Sequence, residues 1–253
     1  MLEKYQQSAL ERDDALTREI RLYVELGNYD KALELLLNGH HYSLAESGIR
    51  YPAHSSYEEA MLLKGHNYMK AKKYKEALKQ YQAALEYPEN FSQGRPIDGG
   101  KAPVIYYFMG TAYEALGDTN MAKTYFEKSA APPSTVYSPS DSALSYGPEI
   151  LFYRGCAARK LGRAAEAAGI FDSLLKSGQE AIRSSGSGRP DYFAKFEGRE
   201  GETEEVRIAQ AHYMLALGYL GTGRRQEAKA ELEQAIKLNV NHLQAQFELQ
   251  SLK

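Results

Sequence analysis

The stretch "NYMKAKKYKEALKQY", Asn67 to Tyr81, decides how this chain folds. Two runs with a helical apolar period meet at a short lysine-rich turn, and the second run carries Ala77 with Tyr81 four positions later on the same face. The pattern predicts two helices turned back on one another, with a small residue at their seam. Four further segments repeat it: "LYVELGNYDKALELL", "AYEALGDTNMAKTYF", "AARKLGRAAEAAGIF" and "GYLGTGRRQEAKAEL". The seam alanines are Ala32, Ala77, Ala122, Ala167 and Ala228, so the steps are 45, 45, 45 and 61. A fixed period of this size is the mark of a repeat architecture.

Other positions hold the same register. Gly65, Gly110 and Gly155 lie twelve residues before their alanines, where two helices must approach closely. Tyr23, Tyr68, Tyr113 and Tyr219 lie nine before and are expected to wedge between paired helices. Leu36, Tyr81, Phe126, Phe171 and Leu232 follow four after. One hairpin cannot bury its apolar face alone, so the prediction is an all-α, right-handed α-solenoid of five stacked hairpins. The units fall near 13–46, 58–91, 103–136, 148–181 and 209–242, with a capping helix over 243–253, in a single superhelical domain.

These residues resemble the tetratricopeptide repeat family, whose helix–turn–helix unit has a small residue, then Tyr, Ala, an aromatic and often Pro. "MLLKGHNYMKAKKYKEALKQYQAALEYPEN" and "YYFMGTAYEALGDTNMAKTYFEKSAAPP" carry the resemblance most fully. The first and fifth units depart from it, with Gly39 at the second small position of one and Ala216 in place of the glycine of the other. The junctions "ALEYPENFSQGRP" and "RPDYFAKF" are similar to the C-terminal helical half of large bacterial proteins with a mutarotase-like β-domain. That similarity implies a fragment of a larger protein and a link to carbohydrate. It is interrupted at Tyr42 to Ser47, "YSLAES", where that family has a Trp-Glu pair.

The family unit is 34 residues, so a period of 45 leaves an insert of about eleven between hairpins. The inserts "HHYSLAESGIRYPAHSS", "PENFSQGRPIDGGKA", "PPSTVYSPSDSALSYGP" and "SGSGRPDYFAKFEGREG" are expected along one edge. They carry many aromatics, which are expected to pack on the helices as satellite clusters or to line a ligand site. "GRPIDGGKA" looks like a phosphate-binding loop, but five residues separate Gly94 from Gly100-Lys101 where the motif has four, Ala102 lacks a hydroxyl, and a helix precedes it. A nucleotide is not expected.

On helical geometry the first helices turn Thr17, Leu62, Tyr107, Phe152 and Tyr213 toward a concave groove, with Arg21, His66, Thr111, Cys156 and Leu217 one turn on. The inserts either cover this stripe or leave it to stack on a peptide or a sugar ring. Candidate ligand-binding residues are Leu62, His66, Tyr107, Phe152 and Tyr213 from the helices, with Arg95, Asp98, Arg189, Asp191 and Tyr192 from the inserts. If the stripe and the inserts together form a site, Tyr107, Phe152 and Tyr213 are expected to be partly accessible, with Arg95, Asp98 or Asp191 within reach to orient a polar ligand. The groove lacks the Lys and Asn pattern with which some tetratricopeptide domains clamp a chaperone's C-terminal carboxylate.

Composition narrows the partners. A formal net charge of −2 and no Lys/Arg block with interleaved aromatics argue against nucleic acid. No run approaches the roughly 18 apolar residues of a membrane span, and the N-terminal residues are too polar for a secretory signal. One cysteine, Cys156, forms no internal disulfide or thiolate metal cluster, which leans toward the cytoplasm. No His-x3-His pair, paired carboxylates or nucleophile with its base has a defensible spacing, so neither catalysis, metal nor cofactor is expected. The expectation is a binding or scaffolding module for a protein, a peptide, an adjacent domain of the same protein or a carbohydrate. The alternative is the accessory half of a carbohydrate-active enzyme.

Seam burial is open to a direct check. Ala122→Leu is expected to overpack its hairpin and lower stability by roughly 1–3 kcal/mol in denaturant unfolding.

Overall fold

Every described hairpin turn is closed by one device. In the computed structural model the residue ending the turn is left-handed at Gly27, Lys72, Gly117, Gly162 and Gly223, with φ between 58° and 81°. The next amide reaches back five residues, from Asn28 to Tyr23, Lys73 to Tyr68, Asp118 to Tyr113, Arg163 to Ala158 and Arg224 to Tyr219. The left-handed residue's own amide bonds the carbonyl three back, as from Lys72 to Met69. This pair of bonds is the Schellman termination, which satisfies carbonyls that a helix end leaves open. The steps between these residues repeat the 45, 45, 45 and 61 of the seam alanines. Glycine holds four of the five positions because a left-handed φ crowds any Cβ.

The structure describes residues 12–42, 53–92, 100–132, 147–184 and 204–252. Among these it is all-α. The helices are α1 (Asp13–Glu25), α2 (Tyr29–Leu36), α3 (Ala53–Lys70), α4 (Tyr74–Ala83), α5 (Ala102–Ala115) and α6 (Thr119–Ala130). They continue with α7 (Glu149–Lys160), α8 (Ala164–Ser184), α9 (Glu204–Gly221), α10 (Arg225–Leu238) and α11 (Leu243–Ser251). A short 3-10 turn, Glu89–Phe91, follows α4. Two compact units result, one gathering α1 to α4 with residues 108–122, the other residues 102–107 with 123–130 and α7 to α11. In the first unit α1 pairs with α2, α3 with α4, and the first hairpin packs on α3. In the second unit α7 pairs with α8, α8 packs on α9, α9 pairs with α10, and α11 follows on α10.

The seam is as the sequence predicts. All five repeat alanines are buried, and so are Leu36, Tyr81, Phe126, Phe171 and Leu232 four residues on. Gly65 faces the ring of Tyr81 and Gly155 the ring of Phe171, where a Cβ on Gly155 would stand 2.5 Å from the ring. Each glycine is sixteen residues before its aromatic, so the helices meet with a backbone surface against a flat ring. The tyrosines nine before the alanines are a partial correction. Tyr23 is buried, but Tyr68, Tyr113 and Tyr219 are half-buried. They stand in the last helical turn, where the ring covers the turn; the Arg224 guanidinium lies 4.4 Å over the Tyr219 ring.

Helix limits also depart from the expected units. α3 begins at Ala53 and α9 at Glu204, each five residues before the predicted start of its unit. In α3 the added turn has a cause: His54, Ser56 and Tyr57 are buried, His54 stacks on Tyr87 at 3.9 Å, and the Tyr57 hydroxyl donates to the Ala83 carbonyl. Insert residues therefore become helix where aromatic partners wait.

Two substitutions test these contacts in chemical denaturation. Gly155→Ala is expected to cost roughly 1–3 kcal/mol by driving a methyl into Phe171, and Phe171→Leu in the same chain to recover part of it. Lys72→Gly is expected to stabilise by on the order of 1 kcal/mol, because among the five described hairpin turns Lys72 is the left-handed residue that carries a side chain.

Candidate functional site

The first helix of each hairpin carries the predicted groove positions, and each compact unit holds its own set. In the first unit Thr17 is buried and its hydroxyl donates to the Asp13 carbonyl at 2.7 Å. One turn on, Arg21 lies between Glu25, at 2.9 Å, and Glu59 of α3, which it also pairs. Desolvation pulls the guanidinium pKa down, but Glu59 and Glu25 outweigh it and hold Arg21 above its ordinary value. Leu62 is half-buried beside this pair in register.

His66 is interior. Its Nδ1 lies 2.9 Å from the Tyr81 hydroxyl, and its ring meets Phe108 edge-on at 4.2 Å. Burial, with a smaller contribution from Lys70, pushes its pKa down to about 3. A neutral imidazole held by a seam tyrosine is a structural hydrogen-bonding group. The tyrosine ring that Gly65 admits thus fixes the histidine one residue after that glycine.

In the second unit Tyr107 is half-buried, 5.0 Å from Tyr153 and 5.8 Å from Phe126. Phe152 is 7% exposed and packs toward Phe171, and Tyr213 is 1% exposed. Partial accessibility therefore holds for Tyr107 and fails for Phe152 and Tyr213, because neighbouring elements close over both. Cys156 is buried too, and burial, opposed by Arg159, pushes its thiol up to about 12. It is a packing residue, since only a thiolate is nucleophilic. Arg159 donates to the Gly221 carbonyl at 2.9 Å and ties α7 to α9.

What covers the second unit's stripe is the C-terminal segment. The Tyr153 hydroxyl donates to Glu248 of α11 at 2.5 Å, and the His242 ring lies 4.6 Å from that of Tyr213. Sequence reasoning did not single out Tyr153, Glu248, His242 or the Arg21–Glu59 pair. The available signal was His242, Ala245 and Glu248 at steps of three, one stripe of the last helix.

Arg95, Asp98, Arg189, Asp191 and Tyr192 lie outside the described residues, as do both "GRP" segments. The insert ends that are described pack inward: Tyr42 and Phe91 are buried 5.8 Å apart. Asn90 joins them, its amide donating to the carbonyls of Leu36 and His40 at 2.8 and 3.0 Å while its own carbonyl accepts from Tyr42. "NFS" is accordingly a structural asparagine whose side chain is committed to the first hairpin. Among the described residues no group of His, Cys, Asp or Glu is placed to hold a metal, and no helix is long and apolar enough to cross a membrane.

Comparison with known families matches tetratricopeptide repeats to residues 58–91, 103–131, 149–177 and 209–242. The chain contains tetratricopeptide repeats. The matched segments coincide with the α3–α4, α5–α6, α7–α8 and α9–α10 hairpins. Among solved structures the chain is similar to YrrB, described as a tetratricopeptide repeat protein with an unusual peptide-binding site, at 18% identity over 98% of this chain and 96% of that one, with a TM-score of 0.32. It is also similar to MamA AMB-1, at 17% identity over 90% and 92% of the two chains, with a TM-score of 0.28. At such TM-scores neither likeness bears on the site, and the repeat assignment stands on the family matches and the hairpins.

The buried histidine gives this tetratricopeptide chain a pH signature. Because the folded state holds His66 neutral, with a pKa below the unfolded 6.5, stability is full above that value and falls as pH drops toward about 3. His66→Gln is expected to flatten this loss between pH 7 and pH 5 by about 1–2 kcal/mol, read from denaturation midpoints.

Proposed function

We propose that this chain is a non-catalytic module that binds a protein or peptide through the first-helix face of its tetratricopeptide hairpins. The observation that carries this is the register. The family-matched hairpins at 58–91 and 103–131 repeat at 45 residues, and Leu62 and Tyr107, both half-buried, hold the same register position in their first helices. Apolar area beside a few placed charges, here Leu62 near the Arg21–Glu59 pair, is the composition that recognises an amphipathic segment.

Carbohydrate enters through the junction resemblance alone, and with it the alternative of an accessory half of a carbohydrate-active enzyme. Both are separated from peptide binding by one experiment. Titration of the full chain with a peptide library and with oligosaccharides, followed by tyrosine fluorescence, is expected to find peptide ligands. Leu62→Glu and Tyr107→Ala, each folded by circular dichroism, are expected to weaken them at least tenfold, about 1.4 kcal/mol. Binding of sugars alone, or variants that bind peptides as wild type does, would overturn the proposal.

A further inference from the structure

The C-terminal helix does more than follow the fifth hairpin. Its inward residues His242, Ala245 and Glu248 are all buried, and they reach first helices of two different hairpins. Glu248 accepts from Tyr153 of α7, ninety-five residues away in the chain. His242 lies against Tyr213 of α9, and its Nε2 is 3.1 Å from the Gln210 amide oxygen. The tail therefore sits on Tyr213, which the repeat register assigns to ligand contact, and on Tyr153, the residue after the register position Phe152. A terminal cap requires only an apolar inner face and a polar outer one. A carboxyl group buried among ring edges opposes docking through desolvation, and the Tyr153 hydrogen bond makes the seat specific for an acid.

We propose that residues 242–252 are a resident occupant of a docking face on α7 and α9, and that the partner displacing them is a short amphipathic helix bearing a carboxyl side chain placed to accept the Tyr153 hydroxyl. The inference rests on the peptide-binding reading above and names the partner's chemistry. Recognition would combine a stripe at three- and four-residue steps with one buried acid, in the helix-in-groove manner.

The seat is also poised to loosen with pH. Facing Glu248 are Tyr153, Glu149 and Cys156 from α7 and Tyr213 from α9, with Ser251 on its own helix. Burial, opposed by the Tyr153 hydrogen bond and reinforced by Glu149, pushes its carboxyl from 4.5 up to about 7. A docked acid with a raised pKa contributes most below the free value of 4.5, and the contribution is lost as pH rises through about 7. Through Glu248 the seat loosens as pH rises through about 7, whereas His242, which burial holds neutral with its pKa down to about 4, loosens it in the opposite direction below 6.5.

The test uses the full chain and a fluorescein-labelled synthetic peptide of residues 240–253 with Gln in place of Glu248, which carries no such pH penalty. On wild type the peptide is expected to bind about tenfold more tightly at pH 8 than at pH 6, because the Glu248 contribution to the resident tail falls by that factor while His242 acts alike on tail and peptide. The Glu248→Gln chain should exclude it at both pH values. The Glu248→Lys chain, its tail expelled, should bind it strongly at both. Failure to bind wild type at pH 8 and the folded Glu248→Lys chain would overturn the proposal. Should Glu248→Lys not fold, Tyr153→Phe decides by hydrogen exchange: amides of α11 should exchange faster relative to α10 at pH 6, and unchanged protection overturns it. Library peptides that bind at Leu62 while the tail stays protected sink this inference and leave the proposed function standing. A tail that yields to the Gln peptide while no library peptide binds does the opposite.

Discussion

The close approach of the two helices in each hairpin is the constraint on which the rest of this protein depends. A residue without a side chain on one helix lets the flat ring of the other lie against its backbone, as Gly65 does for Tyr81 and Gly155 for Phe171. Dense packing at that contact leaves no room for a methyl group, so helix separation is set by the ring's thickness. With the separation set, the ring's polar edge is set too. The Tyr81 hydroxyl is delivered to His66, and a histidine on a helix face becomes a neutral interior group. The Schellman turns follow from the same requirement, since a helix returning at this distance must reverse within three residues.

Between hairpins a different chemistry operates. The described ends of the first two inserts carry polar main chain that needs partners, and they obtain them from one another. Asn90 takes the carbonyls of Leu36 and His40 and gives its own to Tyr42. Around it Tyr42, Phe91, His54 and Tyr57 form a ring cluster that supplies the apolar area a loop lacks. A single asparagine thus ties two successive junctions, and losing its half-buried amide leaves the carbonyls of Leu36 and His40 without that donor.

The second unit puts polar groups where the first puts rings. Its last helix brings a carboxyl group, and Tyr153 and Tyr213 around it are driven far above the ordinary phenol range by burial, with Glu248 adding to both. Below about 7 the Glu248 carboxyl is held neutral against the phenol that donates to it. The first-helix face is consequently not uniform: at Arg21 it is a half-buried charge network, and at Tyr153 it is a buried acid seat.

Residue order alone determined the repeat. The period, the seam alanines, the glycine-to-aromatic spacing and the turns all act between residues a few turns apart on adjoining helices, so local periodicity carries them. It also placed Leu62, Tyr107, Phe152 and Tyr213 in one register. Tertiary structure decided which of these stay reachable, because exposure depends on what arrives from elsewhere in the chain. Glu248 comes from ninety-five residues beyond Tyr153, and in a nine-residue helix a glutamate beside Gln and Ser reads as solvated face. Helical phase says where a side chain points; only packing says what meets it there, and for Phe152 and Tyr213 the neighbours turned a groove wall into core.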